Sequence, residues 1–325
     1  MDNSPLLPGV KRSEVFAWAM FDFANSGYTT VVLTAVFATY FVGIVAGNAA
    51  WATLLWVSSL SVSYLLSMLL MPVIGAWCDR HAKKKRALLL STVTCVMGTA
   101  ALGWSGPGDM AWAVFWIIIS NVSFSVGESL IAAFLPELAK TESMGKVSSW
   151  GWAWGYVGGM LTLAICLFWI ISGLKAGLTT SEAVPPTMWI TAVIFLLASS
   201  YTFWRLPERA KPQIHSDPAQ FLRKSWNDLV EALQWAKDRP SFMQLLKCIT
   251  LYQAGVSVAI TVAAIYAEGE MDMGKQDTMV LIFLLNIAAL VGAWGLGWMQ
   301  LKPEHHERAR FGWDADSWEA HWVCP

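Results

Sequence analysis

The chain has 325 residues, 56% of them hydrophobic and only 14% charged, with a mean hydropathy of +0.48. A soluble domain carries about 25% charged residues, so this balance belongs to a chain whose main solvent is lipid. The formal net charge of −1 points to no nucleic-acid partner, and Cys78, Cys95, Cys166, Cys248 and Cys324, which lack any C-x-x-C spacing, support neither a disulfide framework nor a zinc site.

A helix needs about 20 apolar residues to cross the hydrocarbon, because it rises about 1.5 Å per residue and must satisfy its own backbone there. Lys11 and Arg12 precede an apolar run in the manner of a signal peptide. That run lasts from Val15 to Val45, far beyond a cleavable core of about 7–15 residues, so a retained first helix is expected. Seven segments follow at Trp51–Trp77, Ala87–Trp104, Met110–Leu135, Trp150–Ile171, a short Met188–Trp204, Phe242–Tyr266 and Met279–Met299. Before the seventh lies a long polar stretch in which Trp226 to Trp235 has the apolar spacing of a surface helix. After Gln300 the chain turns charged through Arg310 and has no further apolar span. A native cytoplasmic tail and a frameshifted reading of a longer chain both produce that pattern.

The basic residues test this parsing, since Lys and Arg collect on the cytoplasmic side of a membrane. With the N-terminus inside, all 22 except Lys175 and Lys275 fall in inner loops, inner helix ends or the tail. Trp51, Trp77, Trp104, Trp150 and Trp204 stand at the ends of apolar runs, where an indole finds both lipid and a hydrogen-bond partner. The expected fold is an all-α membrane protein, a helical bundle with one complete half and part of a second. Its parts are a six-helix bundle over 1–205, a cytoplasmic linker at 206–240, two helices of an incomplete second half at 241–300, and a polar tail at 301–325. The layout of two six-helix halves favours a chain cut short after its eighth helix.

At the inner end of the second segment, Gly75 would let two helices approach closely, while Asp79 and Arg80 can pair across a mobile interface. A positive-inside loop with an incidental Asp is the plainer alternative. The run from Gly75 to Lys84 resembles the loop signature of the major facilitator superfamily, G-x-x-x-D-R-x-x-[RK]-[RK], which joins helices two and three. The run from Trp18 to Ser26, W-A-M-F-D-F-A-N-S, resembles the Y-D-W-A-N-S opening of that superfamily's vacuole-effluxer-like branch. Ala133–Ala139 and Trp150–Gly159 resemble further signatures of the branch.

The resemblance implies a secondary transporter without cofactor. The branch's best-known member type exports amino acids from the fungal vacuole. It also implies a cavity lined by helices one, four, seven and ten, and a loop Asp that latches against helix eleven. Helices ten and eleven have no counterpart among the eight segments, so an inactive or regulatory membrane subunit is the alternative function.

A charge at the bilayer centre costs about 2.5–3.5 kcal/mol, so buried ionisable groups usually border a wet cavity or a partner. Only Asp22 and Glu128 lie well inside the segments. Asp22, Asn25, Ser26 and Thr29 share one helix face by spacing; so do Asn121, Ser125 and Glu128, and so do Thr250, Gln253, Ser257 and Thr261. These stripes on helices one, four and seven are the candidate substrate or proton sites. The opposing readings are a pairing of Asp22 with Arg12, and Ser or Thr bonding to their own backbone as expected for Ser59, Ser63 and Ser67 on helix two.

Gly151, Gly155 and Gly159, with Gly158 beside them, have small-x-x-x-small spacing for close helix packing. The run resembles the superfamily's glycine-rich antiporter motif, but Tyr156 stands where Pro is expected. A membrane-embedded enzyme is the rival class. The five histidines all fall in loops or tail, and no H-E-x-x-H, G-x-S-x-G or phosphate loop occurs, so no catalytic or metal site is expected. The function expected is alternating-access movement of a small solute, with proton coupling, across the plasma membrane. Nothing in the pattern sets an oligomeric state.

Overall fold

The computed structural model describes residues 5–209, 227, 230, 231 and 234–299. Eight long helices run through them. They are α1 (Arg12–Val45), α2 (Ala52–His81), α3 (Lys84–Leu102), α4 (Met110–Ala132), α5 (Met144–Lys175), α6 (Pro185–Arg205), α7 (Pro240–Gly269) and α8 (Lys275–Met299). Apolar length makes these helices, and local chemistry ends them. Pro185 and Pro186 occupy the first turn of α6, where a missing N–H costs nothing. Ala82 takes left-handed backbone (φ 49°) and turns the chain sharply from α2 into α3. Half of the surface helix expected over Trp226 to Trp235 lies outside the described residues, and the tail at 301–325 wholly so.

α1 is the hub. It lies between α5 and α6 and is buried along nearly its whole length. Its C-terminal part winds as π-helix over Thr29–Ala35 and again over Phe41–Val45. Tyr28 ties it to α4 by a 2.8 Å hydrogen bond with Ser120, and its Ala17 carbonyl accepts 2.7 Å from Thr202 of α6. α4 packs on α2 and α3, and α3 packs on α6, which closes the six-helix bundle. α8 lies along α5, whereas α7 seats only its far end, through buried Ala264 and Ala267, near the π-helical part of α1.

α2 reverses the soluble rule. It buries Ser59, Ser63 and Ser67 and exposes Leu65, Leu66, Leu69 and Val73. Each buried serine hydroxyl donates to a carbonyl of its own helix, so none of these three hydroxyl protons is left unsatisfied while the apolar face meets lipid. The five tryptophans at the helix ends are all exposed, as an interfacial belt requires. The chain is an integral membrane protein.

At the basic end, acidic residues from three places gather around the α2–α3 turn. Lys84 Nζ pairs with Glu137 at 2.8 Å, and Glu208 accepts the backbone N–H of Lys84, which satisfies a first-turn donor of α3. Lys85 Nζ donates 2.7 Å to the Leu206 carbonyl just past α6, and Arg209 pairs with Glu14 at 2.5 Å. The N-terminal segment joins in through an isolated bridge between Leu6 and Ala139, with Leu7 donating to the Leu138 carbonyl and Lys140 to that of Pro5, both at 3.1 Å.

Candidate functional site

Asp22 lies ten residues into α1, about 15 Å from Arg12 along the axis. It forms no ion pair with Arg12; its charged neighbour is Glu128 of α4. The Asp22 side chain rests where α5 has no side chain. A Cβ on Gly151 would come within 2.5 Å of Asp22 Oδ2 and of the Trp18 ring. One turn on, a Cβ on Gly155 would meet Ser26 Oγ at 2.7 Å, and one on Gly159 would meet Thr30 Oγ1 at 2.7 Å. Gly158 faces the backbone of Phe23 itself. The four glycines therefore bring α1 into contact with α5 at a spacing no side chain permits, and this contact carries Asp22 with it.

On the other side of α1, Asn121 is fully buried and donates 2.6 Å to Ser63 Oγ of α2. Ser63 spends its own proton on the Leu60 carbonyl, and Ser125 donates 2.9 Å to the Asn121 carbonyl. The side-chain oxygens of Asn25 and Asn121 are both buried and have no hydrogen-bond partner. Leaving such a group unpaired costs about 1–3 kcal/mol, so each marks a place where a donor is called for.

Glu128 sits two turns along α4 from Asn121; its side chain is exposed, and its charge acts on Asp22. Tyr64 of α2 stands beside both Asn121 and Glu128. Reading the sequence missed Tyr64, although its place next to Ser63 in the serine stripe was an available signal.

The structure does not bring Gln253 and Ser257 of α7 to this cluster. Both are exposed, on the part of α7 that stands away from the bundle, and nearby Thr250 bonds to its own helix at Leu246. Asp79 is exposed and Arg80 half-buried with a partner, while a Cβ on Gly75 would meet nothing within 4 Å. Gly75→Ala should therefore leave thermal stability in detergent unchanged or raise it by up to about 1 kcal/mol through helix propensity.

Residues 40–309 match the family described as vacuole effluxer Atg22 like. The uncharacterised MFS-type transporter YxiO of Bacillus subtilis (strain 168) is 22% identical over 282 residues, which cover 84% of this chain and 64% of that protein. The chain thus spans just under two-thirds of that relative's length. Among solved structures, a partially occluded inward-open conformation of the xylose transporter XylE from E. coli superposes with a TM-score of 0.60 at 15% identity. The match covers 86% of this chain and 70% of that one. A D-xylose–proton symporter gives 0.57 at 16% identity, over 86% and 67%. These likenesses show the major facilitator fold, as expected from the helix pattern and the loop signature.

Proposed function

Because the chain belongs to the vacuole effluxer Atg22-like family, we propose that it acts as a secondary active transporter. It moves a small solute across the plasma membrane by alternating access, with its N-terminus in the cytoplasm. Asp22 and Glu128 carry the reading. They come from α1 and α4, lie within the span, act on each other electrostatically and, among the described residues, form no ion pair; the same two helices also carry the two buried amide oxygens without partners. Carboxylates persist at such depth where they border a watery path. Asn25, Asn121, Ser125 and Glu128 line it with Asp22; Gly75, Asp79 and Arg80 form the gate at the basic end. The far end of α7 touches α1 while the rest stands clear, which fits a state open toward the basic end. Proton coupling is supported by the neighbour described as a proton symporter, and an amino acid cargo by the effluxer resemblance.

Uptake into proteoliposomes tests the reading. Glu128→Gln should lower the rate about tenfold, the worth of one charge-assisted hydrogen bond. Unchanged uptake with unchanged pH dependence would remove Glu128 from the mechanism. A second reading, a membrane subunit that needs further helices to work, is favoured by the open space beside Gly75. It predicts no solute movement by this chain alone and recovery when further helices are supplied.

A further inference from the structure

We propose that an acidic phospholipid docks on the seam where α6, α1 and α5 meet at the basic end, its phosphate held between Arg12 and Arg205 and an acyl chain laid on the aromatic strip beside them. The seam is separate from the Asp22–Glu128 region, and the inference does not depend on what the chain carries.

The register of the helices sets where the two cations stand. α1 and α6 run antiparallel: Thr202 donates 2.7 Å to the Ala17 carbonyl, the Tyr201 ring meets Phe16 at 5.7 Å, and Arg209 pairs with Glu14. Arg12 comes four residues before Phe16, and Arg205 four residues after Tyr201. Each arginine therefore shares a helix face with its ring and lies about 6 Å beyond the ring pair toward the basic end. Both are exposed.

These arginines lack an anion. Three carboxylates gather near the end of α6, and each is engaged elsewhere: Glu14 with Arg209, Glu137 with Lys84, and Glu208 with the backbone N–H of Lys84. Among the described residues neither Arg12 nor Arg205 forms an ion pair. The Arg205 guanidinium lies over the Trp204 ring at 4.2 Å, which orients its plane and leaves its N–H edge for a bidentate acceptor. A phosphodiester brings two such oxygens and one negative charge.

Deeper in the span the seam is aromatic. Phe16, 44% exposed, touches Tyr201 on one side and Trp154 of α5 on the other at 5.6 Å, and Trp154 meets Phe23 at 5.8 Å. The Trp154 N–H donates to Met20 Sδ at 3.1 Å, so the polar edge of that ring is turned to protein. The rings hold one another, and a chain laid on them pays little to order them. Because the strip runs into the hydrocarbon, its occupant is a lipid; free phosphate would use the arginines alone.

Native mass spectrometry of the full chain in detergent, titrated with dioleoyl phosphatidylglycerol, dioleoyl phosphatidylcholine and inorganic phosphate, tests this. The first phosphatidylglycerol should bind about tenfold more tightly than phosphatidylcholine, whose choline cancels the phosphate charge. Arg12→Gln and Arg205→Gln should each weaken it about fivefold, the effect of one cation beside an anionic headgroup, and the double variant should bind the two lipids equally. Phe16→Ala should weaken both lipids about threefold. Arg86→Gln removes the same charge from the exposed start of α3 and should leave the affinity unchanged. Thermal unfolding without lipid checks that each variant folds; if Arg205→Gln does not, Arg12→Gln carries the test. The proposal is overturned if phosphatidylglycerol binds no more tightly than phosphatidylcholine, or if Arg86→Gln weakens it as much as the seam arginines, which would be diffuse attraction. It is overturned equally if inorganic phosphate at equal concentration displaces the lipid, or if Phe16→Ala leaves both lipids unaffected.

Discussion

Gly158→Ala should separate α1 from α5 and lower stability by about 3 kcal/mol, the upper end of the overpacking range. The added methyl meets the carbonyl oxygen of Phe23, with the Cα and carbonyl carbon of the same residue at 2.7 Å. Backbone has no rotamer to escape into, so the helices themselves must move. The gain of about 1 kcal/mol that alanine brings a helix offsets only part of that. Gly155→Ala and Gly159→Ala meet the hydroxyls of Ser26 and Thr30 instead, which can rotate, and should cost about 1 kcal/mol each. Thermal or SDS unfolding of the reconstituted chain would rank them. Should Gly158→Ala prove as mild as Gly75→Ala, which meets open space, the α1–α5 contact does not organise the bundle. Because Asp22 rides on that contact, the same variant should also displace the carboxylate and weaken any ligand held there.

This contrast shows where the sequence was readable. The glycine spacing announced a close helix contact, yet nothing in it said that α1 was the partner or that backbone rather than side chain would face Gly158. Hydrophobic length located all eight helices. It also explains the short sixth segment, which gains its missing turn at Pro185, where proline is a good first residue.

The C-terminal half of α1 was not readable. Spacing put Thr29 on the face of Asp22 and Ser26, but π-helix begins at Thr29, and the residue that meets Gly159 is Thr30. The run Thr-Thr-Val-Val carries no mark that separates a π turn from an α turn, because both satisfy the backbone inside hydrocarbon. Asp22 and Glu128 stood out from the sequence because charge within an apolar run is costly. Tyr64 did not, since an aromatic on a lipid-exposed helix is ordinary until Asn121 and Glu128 are placed beside it.

The acidic partners of the basic turn were also hidden, because they arrive from residues 14, 137 and 208, far apart in sequence. Their placement makes Glu137→Gln the second large prediction, a loss of about 2 kcal/mol. An exposed ion pair contributes less than about 1 kcal/mol, while breaking a buried one costs about 3–5. The Lys84–Glu137 pair lies between, with side chains 16% and 18% exposed. Glu137 also accepts the backbone N–H of Arg209 at 3.4 Å, so its loss loosens the end of α6 together with the start of α3. Glu14→Gln, whose Arg209 partner is 34% exposed, should cost well under half as much.

A double-mutant cycle of Glu137→Gln with Lys84→Met isolates the pair. The double variant should be more stable than the sum of the singles by about 1–2 kcal/mol, because no uncompensated charge remains in the half-buried site. Strict additivity would mean that the charges merely sit near each other. In that case the six helices would not be clamped at the basic end, and the turn carrying Asp79 and Arg80 would have no rigid body to move with.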